Sequence, residues 1–205
     1  MTFETAKWEA VLERMGHQVR LCAGEVDALR STARLVPAMH FTHPPAARVT
    51  AAAFDPDSDA EAVAHEIQRL ADQLLPVLDA WVETERLQLL IVENAWAIPM
   101  QLPLGIALGR LVEELRLPAI GHHHDYWWER ERFATCVVPD VLEQARVQIV
   151  GQQANVLGEG DGLPLYGRER LEKLPAALQL GQPLASADRD RDGCQLLADV
   201  IVQVA

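Results

Sequence analysis

Five consecutive residues, Gly121-His122-His123-His124-Asp125, gather more chemistry than any other stretch of the 205-residue chain. Imidazole changes charge near neutrality and both donates and accepts hydrogen bonds, so a histidine cluster suits proton handling or the holding of sugar hydroxyls or a phosphate. Side chains alternate along a strand, so three successive histidines cannot all face one way. At a strand-to-loop exit, one or two can turn into a cleft while another packs. A zinc site built from two histidines and Asp125 is a further option, but consecutive ligands suit a tetrahedral ion poorly and no HxxxH or HExxH spacing is present. Three readings stay open on the residues alone, in this order: polar ligand binding, structural hydrogen bonding, a metal.

Tyr126-Trp127-Trp128-Glu129-Arg130-Glu131-Arg132-Phe133 follows at once. Aromatic planes beside a polar cluster suit a carbohydrate, whose apolar faces stack while polar groups fix its hydroxyls. The competing reading makes Trp127, Trp128 and Phe133 the buried side of a helix with solvated Glu/Arg pairs. Glu93-Asn94-Ala95-Trp96 offers a carboxylate and an amide, with helix capping by Asn94 as the alternative. His40 and His43 sit in a loop able to border the same cleft, but lone loop histidines are usually only solvated; Trp8 and Trp81 are expected to pack. Asp188, Asp190, Asp192 and Asp199, with Gly193, match the oxygen spacing of a calcium loop. The two interleaved arginines, Gln195 at an ordinarily apolar position and the lack of Glu at the last position favour a solvated charge run instead.

These residues need elements to place them. Residues 87–133 read as a strand–helix–strand unit: a near-continuous apolar run at 87–92, a helix over 102–115 and a short buried strand at 118–121. Before it, an opening helix begins at a Thr2 cap and stops at Gly16, followed by a strand over 18–23. Residues 24–45 read as loop with a brief strand at 38–42. A helix over 59–85 starts at a capping box beginning with Ser58 and is interrupted at Pro76. Helix–strand alternation at this spacing predicts parallel strands with crossover helices, whose ligands bind beyond the carboxyl ends of the strands. Glu93-Asn94 and the histidine cluster stand at two such exits. After residue 143, a strand at 147–150, a glycine-rich loop over 151–167, a helix at 171–180 and an apolar end at 200–204 are expected.

Composition sets the remaining bounds. The chain is 49% hydrophobic and 23% charged, with a net charge of −12. No basic stripe exists to meet nucleic acid. The dispersed Cys22, Cys136 and Cys194 fit a reduced compartment better than a disulfide framework, no signal peptide is evident, and no apolar run is long enough for a membrane span; the expected location is cytoplasmic.

Taken together, Val11-Leu12-Glu13-Arg14-Met15-Gly16-His17-Gln18-Val19, Met39-His40-Phe41-Thr42-His43-Pro44, Glu93-Asn94-Ala95-Trp96-Ala97-Ile98-Pro99-Met100 and above all Pro118 through Phe133 resemble the amino-terminal domain of family-four, GT-B-type retaining glycosyltransferases. The resemblance covers residues 3–143. It implies an α/β, Rossmann-like three-layer domain with a mostly parallel sheet that binds the sugar acceptor over residues 1–143, and a divergent tail over 144–205. It makes His122, His123 and His124 the catalytic candidates, without singling one out. Asp125, Glu93, Asn94, Trp127 and Glu129 become substrate-binding candidates, with no metal and no cofactor beyond a nucleotide-sugar donor as co-substrate. The expected ligand is a sugar or a glycosylated acceptor. Such enzymes start with a buried strand and glycine-rich loop and carry a second, donor-binding domain; here the first helix comes first and too few residues follow the match. Truncation at both ends, a sheet lacking its usual first strand, a separately encoded donor domain and inactivity of the isolated chain are the resulting expectations. A non-catalytic remnant or interaction module of the same fold is the alternative, and a His/Asp metal protein a more distant one.

Overall fold

The computed structural model describes residues 3–26, 33–123, 126–142 and 200–204. The Thr2 cap, the elements expected over 147–180, the aspartates at 188–199, Cys194, His124 and Asp125 lie outside the described residues.

Among the described residues, nine principal elements follow one another: α1 (Phe3–Arg14), β1 (Val19–Ala23), β2 (Arg34–Leu35), α2 (Pro44–Ala53), α3 (Ala60–Glu85), β3 (Leu89–Glu93), α4 (Leu102–Leu115), β4 (Ala119–His122) and β5 (Val200–Val204). The strands form one sheet in the order β2-β1-β5-β3-β4. β1 runs parallel to β2 and β3 parallel to β4, while β5 lies antiparallel between β1 and β3. The fold is therefore α/β and Rossmann-like, with helices layered on a mostly parallel sheet. β5 occupies the place beside β1 that a strand preceding α1 would take in a doubly wound sheet. It covers the edges of β1 and β3 that would otherwise present unpaired backbone groups.

Side-chain alternation divides the sheet between two cores. Cys22, Leu90 and Val92 face the helices α2, α3 and α4, packing in one cluster with Val49, Ile67, Leu78, Leu104 and Leu108. Leu21, Ala23, Leu89 and Ile91 face the other way, joining Leu12 and Trp8 of α1. Burial of each large aliphatic side chain contributes about 1.5–3 kcal/mol, so both faces are firmly sealed. The Cys22 thiol, packed 3.6 Å from the Met39 sulfur, is pushed by burial up to about 12.

Several local expectations change. The cap of α3 is Asp59, not Ser58: its carboxylate accepts from the backbone N–H of Glu61 and Ala62, and the helix runs unbroken through Pro76. Residues 38–42 hold no strand; the short strand lies at β2, and Pro37–Met39 is a 3-10 turn. α2 begins at the end of the segment expected as loop and runs on through residues 46–53, for which no element is expected; prolines at the first helical positions lose no intrahelical hydrogen bond and start the helix. β4 is a half-buried edge strand rather than a buried one. Residues 127–133 form two 3-10 turns, not a helix. Among the described residues, no helix is long and apolar enough to cross a membrane.

Candidate functional site

The carboxyl ends of β3 and β4 meet in register, with Glu93 beside His122. Parity places both side chains on the α1 face, since Glu93 follows Leu89 and Ile91 at intervals of two and His122 follows Ile120. There, His122 Nδ1 lies 3.0 and 2.9 Å from the two oxygens of Glu93. The Glu93 side chain is only 3% exposed, against 29% for His122. Trp8 of α1 closes the pair from above, its ring edge-on to the imidazole at 5.4 Å and 79°.

This geometry fixes the tautomer. An ionised carboxylate only accepts hydrogen bonds, so Nδ1 carries the proton and donates it, which commits Nε2 to the opposite side of the ring. A buried carboxylate needs such a donor, because burial without one is costly. The pair is thus a histidine oriented by a carboxylate, able to accept a hydrogen bond or proton from a substrate hydroxyl when neutral and to donate one when charged.

Asn94 comes next along β3 and adopts φ +59°, a left-handed conformation that asparagine tolerates better than most residues. Its N–H donates to the His122 carbonyl at 2.9 Å, tying the two exits together. Its own carbonyl accepts from Ala97 and Ile98, which turns the chain toward α4. Gln101 caps α4 through Leu104 N–H and donates to the Ala38 carbonyl at 2.7 Å, so the 37–39 turn is anchored to the same edge.

His123 points away from the pair. Its ring folds back over Gly121 so closely that a Cβ at Gly121 would lie 2.5 Å from Nε2. Glycine at 121 is therefore what lets this ring settle. Trp127 packs toward the cluster of Ala97, Ile98 and Phe133, and its backbone N–H donates to the Ala97 carbonyl at 3.0 Å. Glu129 accepts from the Tyr126 N–H at 2.8 Å, fixing the 127–129 turn. His40 lies at the exit of β1, within 3.2 Å of Glu25 and 2.6 Å of Thr42. Trp81 is buried in the core, as expected, whereas Trp8 joins the site. No group of three or more metal-ligating side chains occurs among the described residues.

Fold and site together define a Rossmann-like α/β domain with a carboxylate-oriented histidine at adjacent strand exits. Mannosylglucosylglycerate synthase of Thermotoga maritima is 27% identical to this chain over 135 residues, which is 64% of the chain and 30% of the relative. The chain thus spans less than a third of that protein's length. This distant, partial likeness to a glycosyltransferase supports a glycosyltransferase relationship. No family model matches the chain, and no solved structure matches it significantly.

Proposed function

We propose that the chain is the acceptor-side domain of a GT-B-type, family-four retaining glycosyltransferase, in which His122 lines the cleft and a nucleotide-sugar donor is held by a separate half. The observation that carries this reading is the His122–Glu93 pair at the carboxyl ends of β3 and β4, where open α/β sheets bind ligands. Glu93 orients the imidazole, and Nε2 accepts or donates a hydrogen bond to a sugar hydroxyl at the reacting centre. A preset ring needs no reorganisation when the sugar arrives, which is how positioning lowers a barrier. The backbone amide of Asn94, bonded to the His122 carbonyl, stands beside the pair. The likeness to mannosylglucosylglycerate synthase points to a glycosylated small acid as the acceptor class. The reaction takes place in the cytoplasm, where nucleotide sugars are available.

Glycosyl transfer also requires a donor-binding wall, and this reading assigns that wall to a second part, with acceptor binding but no turnover by the first alone. The test is a transfer assay with glucosylglycerate and a panel of nucleotide sugars, on the chain alone and with the donor half of the relative supplied as a second chain. Transfer should need both parts and should fall by about 10²–10⁴-fold in His122→Ala. Turnover by the chain alone would overturn the half-cleft claim. Absence of acceptor binding in the wild type would end the glycosyltransferase reading.

A further inference from the structure

Trp128 is the most exposed large apolar side chain among the described residues, at 59%. It does not hang loose. Its indole lies flat on the Tyr126 ring, with centroids 4.5 Å apart and planes inclined by 11°. Trp127 braces it edge-on at 5.9 Å and 86°. Tyr126 in turn meets the His123 ring at 6.1 Å and 68°, so a file of rings runs from the end of β4 out to solvent. The backbone beneath is equally fixed: Tyr126 and Glu129 bond reciprocally, and Trp127 is tied to Ala97.

A stacked pair in water covers one face of each ring and leaves the outer faces wet. Holding an indole in one orientation without burying it stabilises the fold little, and it is the arrangement expected where a ligand supplies the missing face. We propose that the Tyr126–Trp128 pair is a stacking subsite for a pyranose ring of the acceptor, next to the His122 centre but separate from it. This rests on the sugar-transfer reading given above and extends it to residues that the pair at His122 does not involve.

The chemistry selects a sugar over the other flat ligands that stack. A pyranose presents an apolar C–H face to an aromatic plane and a rim of hydroxyls to polar neighbours. Glu129, Glu131 and Arg132 are all exposed on the same two turns and supply acceptors and a donor. A nucleotide would bring phosphates toward two carboxylates on a chain of net charge −12. An apolar protein surface would gain from burying Trp128 but would strand those same carboxylates.

The test is saturation-transfer NMR and tryptophan-fluorescence titration of the full chain with methyl α-glucopyranoside, with AMP as the competing stacker. The pyranoside should receive saturation mainly on the protons of one ring face. Trp128→Ala should weaken binding by about fivefold or more, and Trp128→Tyr should restore most of it. His122→Ala should leave this binding within about twofold, because the subsite is separate from the pair. Circular dichroism should be unchanged in Trp128→Ala, since the side chain is mostly in solvent. Unchanged pyranoside binding in Trp128→Ala, or AMP binding in place of the sugar, would overturn the subsite. Either result would leave the role of His122 to its own transfer assay; loss of the transferase reading would show there, with pyranoside stacking intact.

Discussion

Two exits on the same edge of the sheet carry the same pair of residue types and treat them in opposite ways. At β1, His40 meets Glu25 at 3.2 Å, with the glutamate side chain 73% exposed. At β3 and β4, His122 meets Glu93 at 2.9 Å, with the glutamate 3% exposed. Register explains the contrast. Cys22 and Val92 both sit opposite Ile201 of β5, so Ala23 and Glu93 stand one rung further on at equivalent heights. On β1 that rung holds an alanine, and the carboxylate comes two residues later, beyond the strand. On β3 the carboxylate is itself the last strand residue, clamped between α1 and the neighbouring strand. Two residues of offset turn a solvent-screened ion pair into an oriented histidine.

The sharpest way to break the comparison is to remove each imidazole. In the reconstituted transfer assay, His122→Ala should lower the rate by about 10²–10⁴-fold, the range for a positioned proton-handling group. His40→Ala should change it by less than about twofold, because its partner Glu25 is 73% exposed and solvent screens the pair. Equal losses would mean that both exits share one cleft and that burial is a poor guide to which acts.

Next come the glycines at the two exits. A Cβ on Gly24 would lie 2.2 Å from the backbone nitrogen of His40 and 2.5 Å from its Cα, atoms that cannot swing aside. Gly24→Ala should cost about 3 kcal/mol in urea unfolding, as for overpacking against fixed atoms. At Gly121 the obstacle is the far end of the His123 ring, which can rotate. Gly121→Ala should cost less than about 1.5 kcal/mol and should instead move the His123 ring, read as altered histidine resonances. A larger loss at Gly121 than at Gly24 would reverse the ranking of the two exits.

These predictions depend on features that differ in how far the sequence discloses them. α4 matches its expected span, 102–115, because apolar periodicity is local and Pro103 and Gln101 mark its start. The apolar run before Glu93 likewise announces a strand covered on both faces. The partnership of Glu93 with His122 was half legible: both stood at predicted exits, and parity along 89–93 would have put Glu93 on the α1 face. Nothing local told that Trp8 would cap the pair, since that contact depends on how α1 crosses the sheet. The place of β5 was illegible for the same reason, as pairing between distant strands is decided by which edges are left open. Of the two adjacent tryptophans only Trp127 is among the substrate-binding candidates; the 3-10 turn sets Trp127 toward Phe133 and Trp128 outward, a difference that no periodicity announces.

Removing the two carboxylates tests the register argument itself. Glu93→Ala leaves the buried side of His122 without its acceptor and should cost about 2 kcal/mol, within the range for stranding a buried polar partner. Glu25→Ala should cost less than about 0.5 kcal/mol. Urea unfolding at pH 7 measures both. Similar costs would show that the 3% and 73% exposures do not govern the energetics of these pairs.

The smallest effect concerns the rung beneath, where Cys22 and Val92 face the same core. Valine there is indifferent to pH, but the Cys22 thiol is raised by burial from 9.0 to about 12. Below pH 9 both folded and unfolded chains hold this proton, and stability is unaffected. Above it the unfolded chain releases the proton first, so the folded state loses stability as pH rises from about 9 toward 12. At pH 10 the loss amounts to about 1.4 kcal/mol relative to neutral pH. Cys22→Ala forfeits some packing at every pH but should lack this alkaline term. The gap between wild type and Cys22→Ala should therefore narrow by about 1.4 kcal/mol between pH 7 and pH 10 in urea titrations. A constant gap would mean that hydroxide reaches the β1 exit in the folded chain, and that the open exit is wet down to the rung below its glycine.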